Sequence, residues 1–200
     1  MLRAIRKQVR IGADDDGRRM SLEQFDRAIA TEGFVYELGN GVIEVSEVPD
    51  PKHLAQVQEL RKQFFRYDEQ HPDVVHSIAS SNECKLLIAS IRSERHPDLS
   101  IYLGPPPEVD VWSLWVPQIV IEVVSQRSAR RDYDDKPAEY LEFGVDEYWI
   151  VDASKDQMTV LTRWRGLWKK KIVKPAQPKH TTHHLPGFAL DLRKVLAAGQ

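Results

Sequence analysis

The chain has 200 residues, 42% of them hydrophobic and 29% charged, with a formal net charge of −2; this is the composition of a globular protein with a sizeable core. No apolar run approaches the ~20 residues of a membrane-spanning helix, and Met1–Arg10 is basic without the apolar region of a secretory signal. Cys84 is the sole cysteine, which excludes disulfides and thiolate zinc centres within one chain and suits a cytoplasmic location.

Residues 1–19 are charged and poor in apolar groups, and read as a loose extension ahead of a single domain over 20–200. Ser21 with Gln24 forms a capping-box pattern that predicts a short helix through about Ala30. Phe34–Leu38 and Val42–Val48 flank Gly39-Asn40-Gly41, a hairpin signal because Asn-Gly tolerates positive φ. Leu54, Val57, Leu60, Phe64 and Phe65 recur at helical spacing, so an amphipathic helix is expected over about 52–68. Short β-like runs follow near 74–79, 85–92 and 98–103. A proline-rich loop over 104–117 then carries Trp112 and Trp115, expected to cover core. Ile119–Val124 is apolar on both faces except at Glu122, the pattern of a strand buried on both sides. A helix is predicted over 132–143 with Gly144 as its C-cap, and Glu147–Asp152 reads as another buried strand. Met158–Trp164 and Leu167–Val173 form a hairpin across Arg165-Gly166, and Leu185–Leu196 closes the chain. The plan is α/β (or α+β): a mixed central sheet flanked by helices, with an N-terminal helix and hairpin and a C-terminal β-hairpin.

Three residues in this plan point to chemistry. Glu122 stands inside a Val/Ile-rich strand, where a carboxylate is costly to bury unless it is paired or holds a metal. Asp98 opens another apolar run and can project beside Glu122 if the two strands are neighbours. Two carboxylates and a backbone carbonyl make a hard oxygen site suited to Mg²⁺ or Mn²⁺. Such an ion polarises a phosphoryl oxygen and lowers the pKa of a water. Lys136 shares a helical stripe with Tyr140 and Phe143, which turns a cation toward the sheet, where it can offset charge developing on phosphorus. Pro137 biases Lys136 away from helical geometry, toward the helix start.

Charge is unevenly distributed. Residues 1–156 hold 19 Lys and Arg against 29 Asp and Glu, whereas 157–190 hold seven basic residues and no acid. Arg163, Arg165, Lys169, Lys170 and Lys171, interleaved with Trp164 and Trp168, form a candidate docking face for a polyanion such as DNA. The alternative for this stretch is a solvated hairpin with core tryptophans. His180, His183 and His184 read as a structural loop in preference to a zinc site, since prolines flank them and no acid lies near in sequence. There is no Gly-rich phosphate loop and no Gly-x-Ser-x-Gly elbow.

From about Met20 to Leu196 the chain resembles the Uma-two family of restriction-endonuclease-like proteins, a branch of the PD-(D/E)XK nuclease superfamily. The resemblance rests on Met20–Phe25, Tyr36-Glu37-Leu38, Pro51 with His53, Pro97-Asp98, Val120–Ser125 and Leu185–Phe188, and most specifically on the run from Lys136 to Asp152. It implies a restriction-endonuclease-like core and Mg²⁺-dependent (or Mn²⁺-dependent) cleavage of DNA phosphodiesters, with Asp98, Glu122 and the Val123 carbonyl as metal ligands. Glu37 and His53 also match family positions and join the expected site. The standard superfamily lysine would stand at Val124. The family is similar to this chain in carrying its lysine on the following helix, where Lys136 stands. A homodimer, suited to cutting both strands, is also expected. Two other functions compete with an endonuclease: a nucleic-acid-binding or assembly module on the same fold, and a hydrolase of another phosphoester.

Overall fold

A computed structural model describes residues 9–200; most of Met1–Arg10 and the first part of the expected extension lie outside the described residues. In chain order the first elements are β1 (Arg10–Ile11), α1 (Leu22–Asp26), β2 (Ile29–Ala30), β3 (Phe34–Gly39), β4 (Val42–Glu47) and α2 (Pro51–Gln70). Next come β5 (Ser77–Ala79), β6 (Leu86–Ile88), β7 (Ser93–Arg95), β8 (Leu99–Tyr102), α3 (Val111–Leu114) and β9 (Ile119–Val123). The chain continues through α4 (Lys136–Phe143), β10 (Glu147–Asp152), β11 (Gln157–Trp164), β12 (Leu167–Val173) and α5 (Leu192–Ala198). These elements form two compact units, Met1–Val48 with Leu87–Arg95 and Pro49–Leu86 with His96–Gln200, so the residues expected as one domain are distributed over both.

In the first unit, residues 10–19 are not loose. β1 pairs in parallel with β2, and Ile11 is buried with Met20, Phe25, Tyr36, Leu38 and Ile43. One apolar side chain and a short ladder are enough to tie this polar stretch down. The Ser21–Gln24 capping box forms as expected, but α1 stops at Asp26 because Ile29 and Ala30 are taken by β1. The β3–β4 hairpin turns through Asn40 (φ 51°) and Gly41 (φ 76°), the paired positive φ values of a type I′ turn. β7 falls between the β-like runs predicted near 85–92 and 98–103. It extends the sheet β4-β3-β7-β6, and Arg95 is fully enclosed there.

The second unit is built on a six-stranded sheet, β12-β11-β10-β9-β8-β5, in which β9 and β10 are parallel and the other pairs antiparallel. Two residues more than predicted at its C-terminal end, α2 is capped by Asp50, with Pro51 in its first turn. Val57, Leu60, Phe64 and Tyr67 from α2 pack with α5 against the sheet face that carries Ile121, Trp149, Val151 and Met158. The opposite face, with Val120, Tyr148, Ile150 and Leu161, is covered by Tyr140 of α4 and by Val145. A parallel pair needs a crossover, and α4 provides it. The loop expected over 104–117 contains the short α3, and Trp112 and Trp115 pack on Ala79, Cys84 and Tyr102 as anticipated. No described helix is long and apolar enough to cross a membrane.

Candidate active site

The pairing of β8 with β9 sets Leu99 opposite Ile121, and continuing that register brings Asp98 beside Glu122. Strand alternation turns Ile119, Ile121 and Val123 to the α2 side and leaves Val120 and Glu122 on the α4 side. Glu122 is thereby buried, 4% exposed, under the start of α4. A buried carboxylate needs partners, and α4 brings two. Lys136 Nζ lies 2.8 Å from Glu122 Oε1, and the Tyr140 hydroxyl donates to the same oxygen at 2.6 Å.

Lys136 is itself 5% exposed and has a second counter-charge, Asp132 Oδ1 at 3.2 Å. Asp132, Lys136 and Tyr140 are spaced by four, which places them on one helical stripe. The helix opens with a π-type turn over Arg131–Asp135, and Lys136 adopts right-handed helical geometry (φ −61°, ψ −33°) in spite of Pro137. The expected departure from helical geometry is absent because the preceding turn continues into α4 and two buried ion pairs hold the residue. The Ser128 hydroxyl donates to Asp132 Oδ2 at 2.5 Å, and Tyr148 donates to the Asp132 carbonyl at 2.9 Å. Burial pushes the Asp132 carboxyl pKa above its ordinary value; Lys136 and Ser128 oppose the shift, and the charge of Asp98 adds to it.

Asp98 accepts the Val123 N–H at 2.7 Å and the His53 Nε2 at 3.0 Å, both on Oδ2. His53 reaches it from the first turn of α2, where Asp50 caps the His53 N–H. Burial disfavours charge on His53, but the hydrogen bond and charge of Asp98, then Glu122 and the Val123 backbone, raise its pKa above the ordinary histidine value. The second unit thus gathers Asp98, Glu122, Val123, Lys136 and His53. It also adds Asp132 and Tyr140, to which no site role had been assigned. Tyr140 was legible on the Lys136 stripe, but an aspartate at a helix start reads as a solvated end residue. Glu37 lies in the first unit, 3.5 Å from Arg95 Nη1, and the same guanidinium grips Glu44 in a two-point contact at 2.5 and 3.1 Å.

The basic hairpin residues do not share one surface. Register and alternation put Lys169 and Lys171 with Thr162 and Val160 on the α2 side, and Arg163 and Lys170 with Trp168 and Leu161 on the α4 side. The hairpin tip, with Arg165, follows from the β10–β11 pairing of Glu147 with Thr162, so it lies toward the start of β10. Glu122 instead pairs with Ile150, farther along that strand. Nearer to Glu122 in the chain, Arg127 and Arg130 are exposed in the segment joining β9 to the π-turn.

The donor set fits a hard divalent cation. Asp98 and Glu122 are carboxylates from adjacent strands, and the Val123 N–H, next in the chain to Glu122, donates to Asp98. A family model described as "Uma2: Putative restriction endonuclease" matches residues 22–193. No curated protein matches the chain. The crystal structure of a "putative nuclease belonging to DUF820" from Anabaena variabilis superposes with a TM-score of 0.73 at 16% identity, covering 90% of this chain and 99% of that one. At that identity the likeness establishes the fold: mixed α/β with helix-flanked sheets, as read from the sequence.

Proposed function

The chain belongs to the Uma2 family, a nuclease family by its description, and from that premise we propose that it is a divalent-metal-dependent endonuclease that hydrolyses DNA phosphodiester bonds. The observation that carries this reading is a lysine ammonium buried between two carboxylates, 2.8 Å from Glu122 and 3.2 Å from Asp132, beside a strand pair that also presents Asp98. Buried ionisable groups that perturb one another in this way cluster at functional sites, and the neighbouring Asp98 separates this arrangement from the Arg95 ion pairs of the first unit.

Asp98, Glu122 and the Val123 carbonyl would hold Mg²⁺ or Mn²⁺, which supplies Lewis acidity toward the phosphate and a water of lowered pKa. Lys136 then has two tasks: it orients the attacking water, and its charge offsets the negative charge that grows on phosphorus. Asp132 holds the ammonium toward Glu122 from the other side, while Tyr140 donates to the same Glu122 oxygen that the lysine meets. His53 holds Asp98 in place through Oδ2. Arg127 and Arg130, exposed between β9 and the π-turn, would meet the DNA backbone, and a homodimer would present two such sites to the two strands.

The direct test incubates the purified protein with supercoiled plasmid and short duplexes in Mg²⁺, Mn²⁺ or EDTA, beside Asp98→Asn and Glu122→Gln. Amides are chosen because they remove the charge while keeping the side-chain volume and, at position 122, an acceptor oxygen for Lys136 and Tyr140. Metal-dependent nicking that disappears in both variants, at preserved melting temperature, is the expected result. Binding of DNA without cleavage in any metal would leave a binding module on this fold.

A further inference from the structure

The loop that follows β12 contains His183 and His184, and the function above makes no use of them. In three dimensions they meet an acid that the sequence places far away: Glu147, the first residue of β10. We propose that Glu147, His183 and His184 form a second divalent-metal site, suited to Zn²⁺, that clips this loop to the central sheet. One ligand atom from each of the three residues lies within 4.8 Å of the others. Ligand atoms around a tetrahedral ion with bonds of about 2.0–2.2 Å stand about 3.3–3.6 Å apart, a separation that His183 Nδ1 and Glu147 Oε1 already show at 3.5 Å.

Glu147 is prepared for such a role. It is 3% exposed, and its carboxylate is fixed from both sides: Trp149 Nε1 donates to Oε2 at 2.8 Å, and the Thr182 hydroxyl donates to Oε1 at 2.8 Å. This is the outer-sphere support that orients a ligating carboxylate. His183 Nδ1 stands 3.5 Å from Oε1, and its ring lies 3.9 Å from that of His184. The His184 Nε2 is buried with no hydrogen-bond partner, at 3.8 Å from Asp146 Oδ2. A buried imidazole nitrogen without a hydrogen-bond partner, close to two carboxylates, is a donor atom available to a cation.

Two imidazoles with one carboxylate favour zinc over magnesium, which prefers oxygen donors throughout. The site is separate from the candidate active centre. Glu147 shares the α2 face of β10 with Trp149, whereas Glu122 lies on the α4 face opposite Ile150. Its effect is structural: an ion that binds only the folded loop raises the melting temperature with concentration.

The test titrates Zn²⁺ by calorimetry and Co²⁺ by visible absorption into wild type, the Asp98→Asn/Glu122→Gln variant, His183→Ala and His183→Ala/His184→Ala. His183 is 72% exposed at its side chain, so its single replacement leaves the fold intact. One ion per chain is expected in the carboxamide variant, and the same site, beside any ion held by Asp98 and Glu122, in wild type. Affinity should fall about 10–100-fold in His183→Ala, with loss of the zinc-dependent rise in melting temperature. Equal zinc affinity in wild type and His183→Ala would overturn the proposal, as would loss of the site in the carboxamide variant. Because that variant keeps the zinc site while lacking the nuclease carboxylates, failure of one reading leaves the other standing.

Discussion

Lys136 is 5% exposed and has Glu122 and Asp132 as its counter-charges. Replacing it with methionine keeps the stem's packing and removes only the charge. Mn²⁺ affinity, measured by calorimetry, should persist, while turnover falls by about 10²–10³-fold, the usual effect of deleting one electrostatic stabiliser. Asp132→Asn keeps the contact with Ser128 but weakens the hold on the ammonium, so kcat should drop with metal affinity and KM little changed. Wild-type turnover in Lys136→Met would make the lysine a structural ion-pair member. Glu37 belongs to a different pattern: Arg95, wholly buried in the first unit, is shared between Glu37 and Glu44.

The elements that carry these residues are recognisable from local chemistry. α4 ends at Gly144 with φ 101°, as a glycine C-cap should, and α2 follows its apolar spacing. What local chemistry does not give is direction. The β11–β12 hairpin forms where its alternation predicts, yet Lys169 and Lys171 face one side of it and Arg163 and Lys170 the other. A single duplex pressed against one face cannot use all five basic residues. Because the hairpin tip lies toward the start of β10 and Glu122 farther along it, a fluorescence-anisotropy salt series in Ca²⁺ should show an unchanged slope of log K against log salt for Lys169→Gln/Lys170→Gln/Lys171→Gln. In Arg127→Gln/Arg130→Gln it should flatten by about 0.9 per lost phosphate contact. The reverse result would restore the hairpin as the docking face.

Across the whole molecule, acidity and basicity are segregated along the chain, and stability should carry a pH signature of buried histidines, His180 among them. His180 is 6% exposed and stands edge-on to Trp149 at 4.8 Å. Burial lowers its pKa below the ordinary 6.5; Glu147 opposes the shift and Lys171 adds to it. The unfolded chain therefore binds this proton at higher pH than the folded one does. Stability is full above about 6.5 and declines as pH falls toward the folded value. His180→Phe keeps the ring packing without the titration. Urea unfolding between about pH 7.5 and 5.5 should lose midpoint steadily in wild type and less in the variant; parallel curves would assign the pH dependence to other groups.

Sequence by itself determined the α/β plan, the hairpins at Asn40-Gly41 and Arg165-Gly166, the long helix α2 and the buried strand around Glu122, and it singled out Asp98, Glu122 and Lys136 as candidates. Each depends on periodicity, turn chemistry, the high cost of burying an acid among valines and isoleucines, or the family resemblance. Tertiary structure alone decided that Asp132 and Tyr140 complete the Lys136–Glu122 contact, that His53 meets Asp98 across 45 residues, and that Thr182 meets Glu147 across 35. It also buried the polar strand Ser93-Glu94-Arg95 and pulled Ile11 out of an apparently loose extension. These pairings follow from strand register and from where a helix docks on the sheet. Those quantities are set by the packing of distant apolar faces, and no short window of sequence contains them.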